Sequence, residues 1–103
     1  MPTLHTVNKS PFERNSLETC LSIAQDDASI LLIEDAVVAV TQNSTFSTKL
    51  EEALDRGIKL FALKPDIVAR GLPEDRIMSK ITLVEYDGFV QLSCDNDRVQ
   101  NWL

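Results

Sequence analysis

The sequence predicts a three-layer α/β/α fold with a small, mostly parallel sheet of four or five strands. Segments typical of strands alternate with segments typical of helices, as in parallel βαβ units joined by right-handed crossovers. The segment SILLIE (29–34) is apolar up to its terminal acid, which indicates a strand covered on both faces. The 103 residues, 44% hydrophobic and 25% charged, have the composition of one globular domain, so we expect a single domain over 1–103.

The first strand and the first helix are predicted near the N-terminus. TLHTV (3–7) is short and rich in Thr and Val, which favours a strand, and the Ser-Pro that follows favours a loop. Asn15 and Glu18 have nearly the spacing of a capping box, and apolar residues recur behind them at helical spacing. We therefore expect a helix from about 16 to 25.

Two further helices are predicted in the middle of the chain. DAVVAV (35–40) contains β-branched residues that favour a strand, but Asp35 could cap a short buried helix, which we prefer. FSTKLEEALDRG (46–57) has an apolar stripe at helical spacing. Its Gly57 can take the left-handed conformation that ends a helix.

The second half of the chain continues the alternation. The predicted elements are a strand at 58–63, turns of helix within 65–71 and 73–78, a strand at 80–86 and a final helix over 88–96. Asp87 is the expected cap of that last helix. The tail DRVQNWL (97–103) is expected to dock on the domain through Trp102.

The charge balance argues against nucleic acids and membranes as partners. Ten basic and sixteen acidic side chains give a formal net charge of −6, which repels phosphates and anionic lipid surfaces. No apolar run approaches the roughly 18 residues of a membrane span, and the first residues lack the pattern of an export signal. We therefore expect a soluble cytoplasmic protein with reduced thiols.

No motif for a cofactor or a metal ion is present. The three glycines are isolated and form no nucleotide-binding loop, and a single histidine cannot build a metal site with ligands of suitable spacing. His5 is expected to be a hydrogen-bonded, largely buried residue of the first strand. In an open parallel sheet, any site is expected beyond the carboxyl ends of the strands, near 8–14, 34–41, 64–70 and 86–90.

Two charged pairs at these strand ends suggest a receiver-type phosphorylation site. Glu34-Asp35 follows the second strand, and Lys64-Pro65 follows the third. The order along the chain is wrong for a receiver domain, where the lysine follows the fifth strand. Glu34 and Asp35 are therefore interpreted as a solvated strand end and a helix cap.

Cys20 is the stronger of two candidate nucleophiles, and Cys94, near the end of the last predicted helix, has less support. Cys20 lies in the apolar stripe formed by Leu17, Leu21 and Ala24, which favours a buried and inert thiol. A reactive thiol would need a nearby cation, a base or a helix N-terminus, and Glu18 supplies none of these. The residues alone favour packing over reactivity.

Four segments together resemble the DsrH/TusB family of small sulfur-relay proteins. They are LHTVNKSPF (4–12), LLIEDAVVAV (31–40), FALKPDIVARGL (61–72) and ITLVEYDGFVQL (81–92). The resemblance covers nearly the whole chain and rests on these four segments taken together. It implies the DsrE/F/H-like fold and a subunit of a cytoplasmic heterohexamer, in which DsrE/TusD-like and DsrF/TusC-like chains are the partners.

The resemblance also implies a role and leaves two pathways open. Such a subunit is not an autonomous enzyme but part of a sulfurtransferase complex that relays persulfide sulfur between proteins. One branch serves sulfur oxidation with DsrC as acceptor, and the other, TusBCD, passes sulfur through TusE towards 2-thiolation of the tRNA wobble uridine. DsrH-type members resemble this chain in carrying a cysteine in the first helix, so Cys20 favours sulfur oxidation.

The family resemblance makes Cys20 a candidate auxiliary sulfur acceptor, with a purely structural subunit as the alternative. An acceptor must be reachable, so we expect Cys20 at the edge of its stripe, where a crevice on the Ile23 side exposes the sulfur. DAVVAV and the aromatic C-terminal segment are expected to contribute to interfaces, with Val38 as the test position. An independent ligand-binding domain has no supporting motif.

Overall fold

A computed structural model describes residues 2–12, 14–42 and 44–102. Its strands are β1 (Thr3–Val7), β2 (Ser29–Leu32), β3 (Lys59–Leu63), β4 (Thr82–Val84) and β5 (Arg98–Trp102). Its α-helices are α1 (Ser16–Ile23), α2 (Ser47–Asp55), α3 (Lys64–Ala69) and α4 (Tyr86–Asp95). Two 3₁₀ helices span Glu34–Val40 and Glu74–Arg76.

The strands form one sheet in the order β4-β3-β2-β1-β5, and every pairing is parallel. The chain steps from β1 to β4 in one direction, so right-handed crossovers place α1, α2 and α3 on the same face. The return from β4 to β5 runs the other way and places α4 on the opposite face. The predicted three-layer α/β/α fold is confirmed.

The main hydrophobic core lies between the sheet and the helices α1 and α2. Residues from three strands and from both helices meet there: Val7, Ile30, Leu32, Leu60, Ala62, Leu17, Cys20, Leu21, Leu50 and Ala53. On the opposite face, Leu4 and Leu31 are fully buried, although no residue of α4 is itself buried. The helical layer on this face is therefore less buried than the layer formed by α1 and α2.

Strand β5 is the element that the sequence did not predict. The tail does dock through Trp102, which packs against the core, but it does so as a fifth strand paired with β1 along its whole length. Its sequence RVQNW has no apolar alternation, and four of its five residues are exposed. Because pairing with β1 creates this strand, local pattern could not reveal it.

The segment DAVVAV is helical, as preferred, but it forms a 3₁₀ helix that begins one residue earlier, at Glu34. Asp35 is not its cap. Glu34 has a positive φ of 50°, and its backbone N–H donates to Asp66 Oδ2 at 2.7 Å. The two alanines and Val37 and Val40 are buried, which leaves Val38 half-buried as the one valine of the segment with exposed surface. Most of this segment is core rather than interface.

Besides Asp35, two of the three other predicted helix caps differ from the structure. Asn15 precedes α1 but makes no side-chain capping bond. Asp87 lies inside α4, which begins at Tyr86, and its carboxylate accepts from the N–H of Gly88 at 2.9 Å. The third is confirmed, because Gly57 follows α2 with φ 97°.

Strand β5 is attached to β1 by side chains as well as by the backbone. The indole N–H of Trp102 donates to His5 Nδ1 at 3.0 Å, and the Thr6 hydroxyl donates to Asn101 Oδ1. The His5 imidazole must be neutral at Nδ1 to accept this bond. Burial also lowers the pKa of His5 from its ordinary value, since it disfavours the charged form.

We expect Gly57→Ala to destabilise the fold by about 1–2 kcal/mol, because a Cβ is unfavourable at positive φ. A Cβ here would also lie 3.3 Å from the carbonyl oxygen of Asp26. Gly71→Ala is the matched control, with φ 66° and no atom within 4 Å of the added carbon. Urea unfolding should show a larger loss for the Gly57 variant. An equal loss would contradict the steric contribution.

We expect the stability of the wild-type chain to fall as the pH decreases through 6.5. Because the pKa of His5 is lowered in the folded state, the unfolded chain binds a proton at a higher pH than the folded chain does. Protonation below the pKa of the unfolded chain therefore stabilises the unfolded state relative to the folded state. His5→Gln removes this titration. Urea unfolding at several pH values between 7.5 and 5 should give a shallower decline for the variant. An equal decline of stability with pH in the wild-type chain and in His5→Gln would contradict the role of His5.

Candidate functional site

The carboxyl ends of β2 and β3 bring together charged groups from segments 34–41 and 64–70, as predicted. Asp35 lies 2.8 Å from the guanidinium of Arg70, which is also 3.9 Å from Asp66. Asp66 in turn holds the backbone N–H of Glu34. The single guanidinium of Arg70 balances part of the charge of these two carboxylates, and the contacts fix the turn after β2, so they serve structure rather than chemistry.

Lys64 does not join the acids that the sequence places near it. Its ammonium pairs with Glu74 at 3.2 Å, in the connection that leads to β4. The Glu34-Asp35 pair instead contacts α3 and the residue that ends it, through Asp66 and Arg70. This arrangement agrees with rejecting a receiver-type site.

Cys20 lies in the buried centre of α1. Its side chain has 0% exposure, and it packs in the main core with Leu17 and Leu21 as neighbours along the helix. Burial raises the pKa of the Cys20 thiol to about 12, so the thiolate is scarce at neutral pH. The chain as it stands holds this sulfur as an inert thiol.

The expected crevice beside Cys20 is absent from the described part of the chain, and that prediction is wrong. Ile23 is 58% exposed, whereas Cys20 has no contact with solvent, so the open face of α1 does not reach the sulfur. The reason is the position of α1, which lies over both β1 and β5. The helix face that carries Cys20 is pressed against the sheet.

The charged groups on the outer surface of α1 do not activate the thiol. Glu18 pairs with Lys49 of α2. Arg56 donates to the carbonyl oxygens of Leu21 and Ala24 at 3.2 and 2.7 Å, where it stabilises the C-terminal end of the helix. These pairs join α1 to α2 and hold the helix closed over the core.

Cys94 is the accessible thiol of the described residues. It lies on the exposed surface of α4 and forms no disulfide. Sequence analysis gave it less support than Cys20, and no neighbouring motif assigns it a role. The two thiols differ clearly in exposure, since Cys20 is buried and Cys94 is exposed. The spacing of apolar residues along their helices does not show this difference as clearly.

The structure adds an open groove that sequence analysis missed. It has a volume of about 960 Å³ and runs between the end of α1 and the exposed side of β5. Its lining includes Thr3, His5, Ile23, Gln25, Arg98 and Gln100. No sequence pattern predicts this groove, because it forms only when β5 pairs with β1.

Metal and membrane sites find no support in the described residues. No group of three or more histidine, cysteine or acidic side chains in ranges 2–12, 14–42 and 44–102 could hold a metal ion. Within the same ranges, no helix is long and apolar enough to cross a membrane.

Comparison with solved structures identifies the same fold in distant proteins. The ychN protein from E. coli superposes with a TM-score of 0.83 at 18% identity, over 98% of this chain and 99% of that one. A protein of unknown function from Methanobacterium thermoautotrophicum gives 0.74 at 13% identity, over 97% of each chain. At such identities, the likeness concerns the fold alone.

Comparison with known sequences identifies closer relatives. Residues 9–99 match the family model described as "DsrH like protein". Proteins named TusB from Enterobacter sp. and Pectobacterium atrosepticum are 37% and 36% identical, each over 96% of this chain and 99% of the relative. With the parallel sheet and the resemblance of its four segments, this near full-length match shows that the chain belongs to the DsrH/TusB family.

Proposed function

We propose that this protein is a non-autonomous subunit of a cytoplasmic sulfurtransferase complex that relays persulfide sulfur between proteins. The observation that carries the proposal is the match to proteins named TusB over 99% of their length. The surface supports a dependent role, because Cys20 is closed and the aspartates at the sheet edge are already engaged by Arg70. The partners are DsrE/TusD-like and DsrF/TusC-like chains in a heterohexamer, with a DsrC/TusE-like sulfur acceptor.

Of the two pathways, the comparisons support tRNA thiolation. Relatives with 33–37% identity carry the name TusB, and the TusB branch leads to 2-thiolation of the wobble uridine. Sulfur oxidation with DsrC remains the second candidate, favoured by one residue, the Cys20 thiol in the first helix. We therefore propose the TusB-type role and test it against the DsrH-type role.

The proposed role of Cys20 is that of an auxiliary sulfur acceptor. In that step the Cys20 thiolate attacks the outer sulfur of a donor persulfide. A new S–S bond forms at Cys20 as the donor S–S bond breaks, and the donor cysteine leaves as a thiolate that takes the proton lost by Cys20. The step is an exchange of sulfur with no external oxidant or reductant.

Burial sets the condition under which this step can occur. A thiol with 0% exposure and a pKa of about 12 offers neither access nor thiolate. Assembly would have to move α1 away from β1 and β5, which breaks the contacts of Lys49 and Arg56 with that helix. If assembly leaves α1 in place, the alternative holds, and the subunit is structural with Cys20 as core.

We expect removal of this gene from its host to lower 2-thiouridine at the tRNA wobble position, and the wild-type chain to restore it. Mass spectrometry of digested tRNA measures the modified nucleoside. The matched control is a host that lacks DsrC but keeps its TusE-like acceptor, in which thiolation should be unchanged. Normal thiolation together with lost sulfur oxidation in the host without this gene would reverse the choice of pathway.

We expect iodoacetamide to label Cys94 at least about 100-fold faster than Cys20 in the isolated folded chain at pH 8. The thiolate is the attacking form, and Cys20 is both buried and protonated at this pH. Peptide mass spectrometry over time measures both rates. Urea should abolish the difference, and comparable rates without urea would contradict the closed position of Cys20.

We expect Cys20→Ser to co-purify with the partner chains but to relay less sulfur once the complex is loaded with a persulfide donor. Wild-type Cys20 should gain the mass of one sulfur atom in the assembled complex, and Cys94→Ser is the matched control with normal relay. If Cys20 gains no sulfur and the serine variant relays normally, the thiol is packing and the subunit is a scaffold.

A further inference from the structure

The outer edge of β5 presents unpaired backbone groups. The N–H of Asp97 donates to the carbonyl oxygen of Pro2 at 3.1 Å, so alternate residues of the strand, Val99 and Asn101, also point towards β1. The N–H and C=O groups of Arg98, Gln100 and Trp102 therefore point away from the sheet. Within the described ranges, no strand pairs with them.

Apart from the charge of Arg98 at its start, strand β5 lacks the features that usually protect an edge. It contains neither proline nor lysine, and its register with β1 runs without a bulge from Arg98 to Trp102. Residues 98–101 are exposed, including an apolar Val99 with 46% exposure. The opposite edge, β4, is only three residues long and has two half-buried residues. The two edges differ, and β5 is the open one.

We propose that β5 is an interface between two copies of this chain, which pair antiparallel along their β5 edges about a two-fold axis at Gln100. In this register each outward-pointing residue meets another. Gln100 faces Gln100 of the second copy, and Arg98 faces Trp102 of the second copy on either side of the axis. All the outward backbone groups of residues 98, 100 and 102 then find partners.

The side chains of β5 are complementary to themselves in this register. Arg98 and Trp102 project from the same face of the sheet as α1, since they pair with Thr3 and Val7 of β1. Arg98 forms no ion pair among the described residues. Across the axis, its guanidinium lies beside the Trp102 indole of the second copy, a pairing favoured by cation–π attraction.

The position of α1 explains why a second copy fits better than an extended peptide. Helix α1 lies over both β1 and β5, so with strands about 4.8 Å apart, α1 of the second copy lies about 10 Å away. Helices pack at about 8–10 Å. The second helix therefore fills the groove beside β5 and covers Ile23, which is 58% exposed. A lone peptide would pair with the edge but leave Ile23 open.

The test is the mass of the purified full-length chain, measured by sedimentation equilibrium from about 1 to 100 μM. We expect a dimer of two 11.5 kDa chains. Gln100→Pro removes an outward N–H without touching the bonds to β1, and Ile23→Glu places a charge between the two helices. Each variant should raise the dissociation constant at least about tenfold.

Two matched variants serve as controls for these substitutions. Gln100→Thr keeps the N–H, and Val68→Glu changes a residue of α3 that is 64% exposed but distant from β5. Both should remain dimeric, and circular dichroism should show that all four variants are folded. If the Gln100→Pro variant is unfolded, the test is the comparison of the dimer dissociation constants of Ile23→Glu and Val68→Glu.

A wild-type chain that is monomeric at 100 μM overturns the proposal. So does a dimer that neither Gln100→Pro nor Ile23→Glu weakens, or one that Val68→Glu weakens equally. The inference does not rest on sulfur relay. Loss of 2-thiouridine can be observed with a monomeric chain, and a β5 dimer can form in a protein that relays no sulfur, so failure of one proposal is distinguishable from failure of the other.

Discussion

The pairing of β1 on both of its sides is the constraint on which the rest of the structure depends. Its residues pair with β2 along one edge and with β5 along the other, so both ends of the chain lie side by side in the sheet. A strand with neighbours on both sides satisfies its backbone groups away from water. It also requires α4 to cross the sheet on the face that the other helices leave free.

The same constraint determines the environment of Cys20. Helix α1 must cover β1 and the joint with β5, and the side of the helix that does so contains Leu17, Cys20 and Leu21. Packing at this position stabilises the fold but raises the pKa of the thiol. Sulfur chemistry at Cys20 and stability of the isolated chain therefore oppose each other, and only assembly could favour the chemistry.

The distribution of charge and burial directs attention from pockets to surfaces. The acids and bases at the carboxyl edge pair with one another, with Arg70 between Asp35 and Asp66. The unsatisfied features lie elsewhere, on the edge of β5 and on the exposed side of α1 at Ile23. Both features lie away from the carboxyl edge of the sheet, on the side where the β5 interface is proposed.

The sequence by itself determined the fold class, the first four strands, the helices between them and the family, since each depends on local apolar pattern, on turn residues or on motifs. The left-handed Gly57 and the buried His5 also followed from local chemistry. Only the tertiary structure decided that RVQNW forms β5, that Glu34 begins a 3₁₀ helix held by Asp66, and that Cys20 is closed. Each of these features depends on a contact between residues distant in the chain: the pairing of β5 with β1, a bond across 32 positions, and the packing of α1 on the sheet. Such contacts leave no periodic pattern in the sequence.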